Sequence, residues 1–224
     1  SVIPEMFGDT MLVNGTTFPK TTVEARRYRL RFLNACNARF LNLQFYVADA
    51  SLDGITLNAV TGIPTNGAAG LDPNTPGTPS VLQIGTEGGF LPFPVKVPTN
   101  LPFNPVTLTG SLIVAPAERP DILVDFSMYA GKSIIMYNDA PSPFPLGDPR
   151  NDYFPLWNAK GNPANALTPP DSGPNSRILM KFVVASGITG AADLPLTITT
   201  GTNLQPGNDP LFIPPVQPPI TTPP

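Results

Sequence analysis

Proline is the residue that most restricts how this chain can fold. The 224 residues include 31 prolines, together with many threonines and asparagines. A proline inside a helix removes a hydrogen bond and clashes with the preceding turn, so this composition argues against a helical protein. Charged residues make up only 13% of the chain, against about a quarter in an average domain. We therefore expect an all-β fold with long ordered loops, on a surface typical of exported proteins.

Short segments with alternating apolar and polar residues predict the strands. In the clearest, Arg27 to Ala35, three apolar side chains alternate with three arginines, as in a half-buried strand. Arg29 and Arg31 lie on its polar face, which is expected to be solvated or to form an interface. Asn14-Gly15 predicts a two-residue hairpin turn. Further strands are predicted over residues 10–13, 21–24, 40–47, 81–84, 106–114, 121–126, 133–137 and 177–184.

About eight strands without helical periodicity predict two packed antiparallel sheets, a Greek-key β-sandwich or barrel. Residues 90–105, which contain several prolines, are expected to be extended or irregular. We assign residues 1–203 to one domain. Residues 204–224 have proline at nearly every third position, which predicts an extended linker or tail.

Two long connections interrupt the strands. Residues 58–80 and 138–176 are longer than ordinary loops, and such segments are functional, lie at an interface or are insertions. In the second, Tyr153 and Trp157 belong to an aromatic cluster. These aromatic side chains could stack on a substrate. We expect instead that they pin the loop to the body or fill an interdomain contact.

The chain lacks the residues that most catalytic and metal sites need. It contains no histidine, which excludes imidazole-based nucleophile systems, zinc sites and blue-copper sites. Its one cysteine, Cys36, predicts a buried or half-buried free thiol. No catalytic, cofactor-binding or metal-binding residue is predicted. A net charge of −3 gives no reason to expect nucleic-acid binding, and no apolar run is long enough to span a membrane.

A turn over residues 115–120 carries adjacent opposite charges. Glu118 and Arg119 are expected to connect this turn to the neighbouring sheet, because a guanidinium offers several fixed donors. Asp121, at the start of the next strand, is grouped with them as a structural or interface candidate.

Four segments in order carry a recognisable pattern. They are FGDTMLVNG over residues 7–15, YRLRFLNA over 28–35, IGTEGGFL over 84–91 and APAERPDILVDF over 115–126. Together they resemble the middle cupredoxin domain of a three-domain multicopper oxidase, nearest to the spore-coat laccase and bilirubin oxidase branch. The similarity extends from about Pro4 to Val184.

The resemblance implies that this chain carries no catalytic or copper-binding residues of its own. In that family the first and last domains supply the copper ligands and the middle domain binds no copper. The resemblance thus implies no cofactor here, copper in the parent enzyme, and the flanking cupredoxin domains as partners. The parent would oxidise phenols, pigments or metal ions by single electrons and reduce dioxygen to water. Its location would be secreted, periplasmic or cell-surface.

Two other classes of function stay open on sequence alone. One is a secreted β-sandwich that acts as an adhesion or carbohydrate-binding module, with the proline-rich tail as a spacer. The other is a hydrolase that uses only carboxylates, since two such groups can converge in space.

Overall fold

The computed structural model describes residues 5–58, 60–67, 80–148, 151–154 and 175–193. These residues form eleven strands and one short 3₁₀ turn, and the described part of the chain contains no helix long and apolar enough to cross a membrane. The all-β prediction is confirmed. The strands are β1 (Leu12–Val13), β2 (Thr16–Thr17), β3 (Lys20–Val23), β4 (Arg27–Arg31), β5 (Leu41–Val47), β6 (Ser80–Thr86), β7 (Gly89–Pro98), β8 (Leu112–Val114), β9 (Asp121–Asp125), β10 (Ser133–Asn138) and β11 (Ile178–Val184).

Two sheets pack face to face. The first has the strand order β3-β11-β10-β5-β8 and the second β4-β9-β6-β7, while β1 and β2 form a separate hairpin. All neighbours are antiparallel except β3 and β11, which run parallel. The chain passes repeatedly from one sheet to the other, and the sheets do not close into a barrel. The architecture is the predicted Greek-key sandwich of cupredoxin type.

Aromatic and branched side chains fill the space between the sheets. Phe45 of the first sheet and Phe126, which follows the second, are fully buried and both contact Phe182. Ile122 and Ile134 are also fully buried. Burying one such side chain contributes about 1.5–3 kcal/mol, so this core is the main source of stability.

The predicted hairpin forms as the sequence indicates. Asn14 and Gly15 have φ angles of 50° and 78°. A type I′ turn requires positive φ at both central positions, and asparagine followed by glycine tolerates this best. β1 and β2 then pair in register around the turn.

Strand β7 is more regular than the sequence indicated. Residues 90–105 were expected to be extended or irregular, and Gly89–Pro98 form a ten-residue strand that contains Pro92 and Pro94. The two prolines fit because β7 is an edge strand and its pairing with β6 is irregular between Gln83 and Gly85. Proline lacks an N–H group, and an edge or a bulge does not demand one.

The strand predicted over residues 106–114 is shorter than expected. Residues 105–108 form a turn in which Val106 is exposed and Leu108 has a φ of 54°, so only Leu112 to Val114 pair with β5. Likewise, the strand predicted from Arg27 ends at Arg31. Trp157, the tail 204–224 and parts of both long connections lie outside the described residues.

Candidate functional site

The outer face of the second sheet brings together most of the residues singled out in the sequence. The inward side chains of β4, Tyr28 and Leu30, pack against the core, so the alternate arginines point outward. We call this surface the arginine face. It comprises Arg29, Arg31, Arg119, Asp121, Glu87 and Phe90.

Arg29 makes a two-pronged contact with Asp121 on the neighbouring strand. Its Nε lies 2.9 Å from Oδ1 and its Nη2 lies 2.6 Å from Oδ2. The hydrogen bonds from Arg29 to this carboxylate raise the pKa of the guanidinium. The Arg29 Cζ atom also lies 5.3 Å from the centre of the Phe90 ring, within cation–π range. Asp121 thus holds the Arg29 head group in one orientation.

Arg31 differs from its neighbour. It is exposed, and its side chain forms no hydrogen bond or ion pair with the described residues. It contributes a positive charge to the arginine face that no carboxylate contacts.

Glu118 and Arg119 do not pair with each other. Glu118 Oε2 accepts a 2.6 Å hydrogen bond from Ala115 N and thereby closes the turn on itself. Arg119 instead reaches Glu87 in the β6–β7 turn, with Nη2 2.6 Å from Oε2 and its backbone N 2.8 Å from Oε1. These hydrogen bonds lower the pKa of Glu87. Arg119 therefore connects its turn to the sheet edge, whereas Glu118 acts within the turn.

Strand β7, at the edge of this sheet, carries three exposed apolar side chains, of which Phe90 contacts Arg29. Phe90 is 62% exposed, Phe93 52% and Val95 42%. Large aromatic side chains on an accessible strand, beside fixed charges, are typical of a surface that another protein covers.

A groove of about 1250 Å³ runs along β4, and Arg29, Arg31, Arg119 and Asp121 of the arginine face line part of it. Its walls are β4 with residues 32–37, the β1–β2 hairpin and residues 6–8, and its floor consists of core side chains such as Leu43 and Phe182. Leu12 and Leu33 on its walls are more than 60% exposed. The two sheets are thus separated along this side, and apolar surface is accessible between them.

Cys36 lies at this groove as a half-buried free thiol. Burial raises its pKa, and the charge of Arg39 offsets this only in part. No group of three or more histidine, cysteine, aspartate or glutamate side chains that could hold a metal ion occurs among the described residues. A blue-copper site needs two imidazoles beside the thiolate, and the sequence has none. The donor set does not fit copper.

A second arginine cluster was missed in the sequence. Arg177 and Asp152 are both buried, with Nε 3.0 Å from Oδ1 and Nη2 2.5 Å from Oδ2. The Arg177 Cζ atom lies 4.3 Å from the centre of the Phe154 ring. Burial lowers the pKa of Arg177, but the charge of Asp152 outweighs it and the net pKa lies above the ordinary value. This pair anchors the end of the long connection to β11.

Arg39 completes this anchor. It is 3% exposed and donates to Ser142 Oγ, to Gly8 O at 2.7 Å and to Asn151 O at 3.2 Å. Burial lowers its pKa, and Asp152 counteracts this from nearby. Tyr153, singled out in the sequence, participates through its backbone, since its carbonyl accepts a 2.8 Å hydrogen bond from Ser176 N. The sequence did contain one indication of this cluster. An isolated Arg or Asp in a proline-rich loop needs a partner if it is buried.

Comparison with known proteins gives consistent relatives. No protein-family model matches the chain. It is 34% identical over 146 residues to Multicopper oxidase LPR2 of Arabidopsis thaliana, which covers 65% of this chain and 18% of the relative. It is 37% identical over 140 residues to a laccase of Bacillus subtilis, covering 62% of the chain and 19% of that protein.

Similarity to solved structures is lower. A multicopper oxidase from the hyperthermophile Aquifex aeolicus matches 88% of this chain and 30% of its own, with a TM-score of 0.48 and 24% identity. The chain spans about a fifth of the length of the curated relatives it matches. The chain is homologous to a single cupredoxin domain of the multicopper oxidases.

Proposed function

We propose that this chain is a non-catalytic structural and interface domain of a larger multicopper oxidase. Two observations together support the proposal. The relatives are multicopper oxidases that match only over one domain, and the matching domain here has no imidazole to bind copper. The chemistry would then lie in other domains of the parent, with this one as the middle domain.

The parent would remove single electrons from phenols, pigments or metal ions and pass them to dioxygen. This domain would hold its neighbours at the spacing at which they form their copper sites. The unpaired charge of Arg31 and the exposed aromatic side chains of β7 support a surface that a flanking domain covers. The same proposal places the protein outside the cytoplasm, as secreted, periplasmic or cell-surface.

Copper titration of the purified chain tests the proposal directly. We expect no stoichiometric binding and no blue absorbance after addition of Cu(II), and no oxidation of a phenolic substrate under dioxygen. A matched control is the laccase of Bacillus subtilis, treated in the same way. A blue, one-to-one copper complex of this chain would refute the non-catalytic assignment. Specific binding to a glycan array would favour a carbohydrate-binding module instead.

The interface can be tested in the multidomain protein. Phe93→Ser and Arg31→Gln change exposed side chains without disturbing the core of this domain. In the isolated chain both variants should unfold at the wild-type temperature. In the multidomain protein they should weaken domain association, seen as easier proteolysis between domains and a lower copper content. Identical behaviour of variants and wild type in the multidomain protein would place the interface elsewhere.

A further inference from the structure

Two segments run side by side from the end of the first sheet to the beginning of β4. Strands β3 and β11 are parallel neighbours that end next to each other, at Val23 and Val184. Residues 24–26 then connect β3 to β4. Residues 185–193, which we call the strap, leave β11 beside this connection and reach the beginning of β4. The strap therefore spans the corner between the two sheets.

The strap contacts this corner at three points, in the same order along both segments. At the first, Glu24 Oε1 accepts hydrogen bonds from Thr189 N at 3.1 Å and from Thr189 Oγ1. At the second, Arg26 Nη2 donates to Ala191 O at 2.6 Å. Arg26 Nη1 also lies 3.3 Å from Glu24 Oε2, so the first two contacts share an ion pair.

The third contact is the Asp193 carboxylate, which lies between two arginines. Its Oδ2 accepts a 2.7 Å hydrogen bond from Arg27 N, and its Oδ1 lies 3.3 Å from Arg26 Nε. Arg27 Nε lies 3.8 Å from Asp193 Oδ2 and 4.0 Å from Oδ2 of Asp125 on β9. The contacts of the strap thus depend on two carboxylates, Glu24 and Asp193, and on the two guanidinium groups that face them.

The strap buries little apolar surface. Residues 186–193 are all exposed, including the one large apolar side chain among them, Ile188. In β11, directly before the strap, Phe182 and Val184 are buried in the core. Apolar burial is the main contribution that makes a segment part of a cooperative fold, and exposed ion pairs add little. A segment with few buried apolar contacts can open while the rest of the domain stays folded.

Acid and salt should both favour the open strap. The hydrogen bonds from Thr189 lower the pKa of Glu24 below its ordinary value of 4.5. A carboxylate whose pKa is lower in the closed state stabilises that state above the ordinary pKa, and this stabilisation is lost as the pH falls through the lowered pKa. Once protonated, Glu24 and Asp193 would no longer attract Arg26 and Arg27, whose charges remain. Salt weakens the same attraction because the groups lie at the surface.

We propose that the strap is an acid- and salt-sensitive device that opens and closes as one unit while the two sheets stay folded. When closed, it holds the chain that follows β11 against the beginning of β4. When open, it releases residues 186–193, and with them the point from which the chain continues. This inference goes beyond the proposed function and stands without it.

Amide hydrogen exchange in the full 224-residue chain tests the strap. The amides of Thr189 and Arg27 are the reporters, because each donates directly to one of the two carboxylates. In the wild type both should be protected at neutral pH, relative to the intrinsic exchange rate. Both protection factors should fall together as the pH drops below about 4.5, or as salt is raised to about 1 M at neutral pH.

Glu24→Gln distinguishes a single unit from independent contacts. The glutamine can still accept from Thr189, but the hydrogen bond loses its charge and weakens. Protection at both reporters should fall by about threefold or more at neutral pH, although Arg27 is not bonded to the substituted residue. Elastase cleavage within residues 186–193, located by mass spectrometry, should accelerate by the same factor. Glu5→Gln is the matched control, since it removes the same charge from an exposed residue outside the strap.

The amides of the buried strand β10 serve as the reference for global stability. The proposal is overturned if neither reporter is protected in the wild type, or if Glu24→Gln lowers protection at Thr189 alone or at neither amide. It is equally overturned if β10 loses protection to the same extent, because the strap would then open only with the whole domain. An equal effect of Glu5→Gln would overturn it too, since net charge would then be the cause.

Discussion

Two arginine–carboxylate pairs in this domain have nearly the same geometry in very different surroundings. Arg177 and Asp152 are 2.5 Å apart, with side chains 10% and 3% exposed. Arg119 and Glu87 are 2.6 Å apart, with side chains 53% and 48% exposed. Contact distance is therefore not the measure of what each pair contributes. Water screens the attraction between the exposed Arg119 and Glu87. In the buried pair, removing either residue leaves the charge of the other without solvation.

The largest effect should follow removal of the buried guanidinium. Arg177→Ala leaves the Asp152 carboxylate buried and unpaired, and removes the contact with Phe154. Breaking such a pair from one side costs about 3–5 kcal/mol. Urea denaturation of the variant should show that loss in the free energy of unfolding at neutral pH.

A double variant shows how much of the loss in Arg177→Ala comes from the unpaired charge of Asp152. Asp152→Leu with Arg177→Met removes both charges and retains apolar volume, so it should be markedly more stable than Arg177→Ala alone. If the double variant were as unstable as the single one, the hydrogen bond that Ser176 Oγ donates to Asp152 would matter more than the charges.

Arg39 should have an intermediate effect. It is buried, but the acceptors it bonds to are neutral: the hydroxyl of Ser142 and the carbonyls of Gly8 and Asn151. Arg39→Met keeps the aliphatic stem and leaves these acceptors unsatisfied, which should cost about 2 kcal/mol. Chemical denaturation gives the magnitude. Faster proteolysis near residues 5–8 would show that Arg39 holds this segment against the domain, and unchanged proteolysis would contradict that role.

The sequence predicted the features that depend on local alternation and turn chemistry. Tyr28, Leu30 and their outward arginines follow from period-two patterning, and Asn14-Gly15 specifies its turn without help from the rest of the fold. Strand β7 could not be predicted in this way. Whether Pro92 is tolerated depends on its position at a sheet edge, which is a property of the tertiary structure.

In the candidate site, too, the sequence predicted individual residues but not the partners that the tertiary structure brings to them. Arg29, Arg119 and Asp121 could be named in the sequence because they lie in a charged alternation or a turn. Their partners could not, because Glu87 lies 32 residues away from Arg119 along the chain. The Arg177–Asp152 pair was missed for the same reason, since residues 25 apart meet only after the long connection folds back.

The smallest effect should come from the exposed pair, and it should depend on pH. Arg119 lowers the pKa of Glu87 from its ordinary value of 4.5. A carboxylate whose pKa is lower in the folded state stabilises the fold above its unfolded pKa, and that stabilisation is lost as the pH falls through the folded pKa. Arg119→Ala should therefore lower Tm by a few degrees at neutral pH. The difference from wild type should shrink as the pH falls below about 4.5.

Thermal unfolding at a series of pH values measures this, with Arg119→Lys as the matched control. Lysine keeps the charge but loses the two-pronged geometry, so its Tm should lie between those of alanine and wild type. Because the pair is exposed, added salt should also reduce the difference, whereas it should leave the Arg177→Ala loss nearly unchanged. A wild-type Tm for Arg119→Ala at neutral pH would show that the Arg119 side chain does not hold the turn over residues 115–120. The contact of Glu118 with Ala115 and the backbone hydrogen bonds to Asn34 would then suffice.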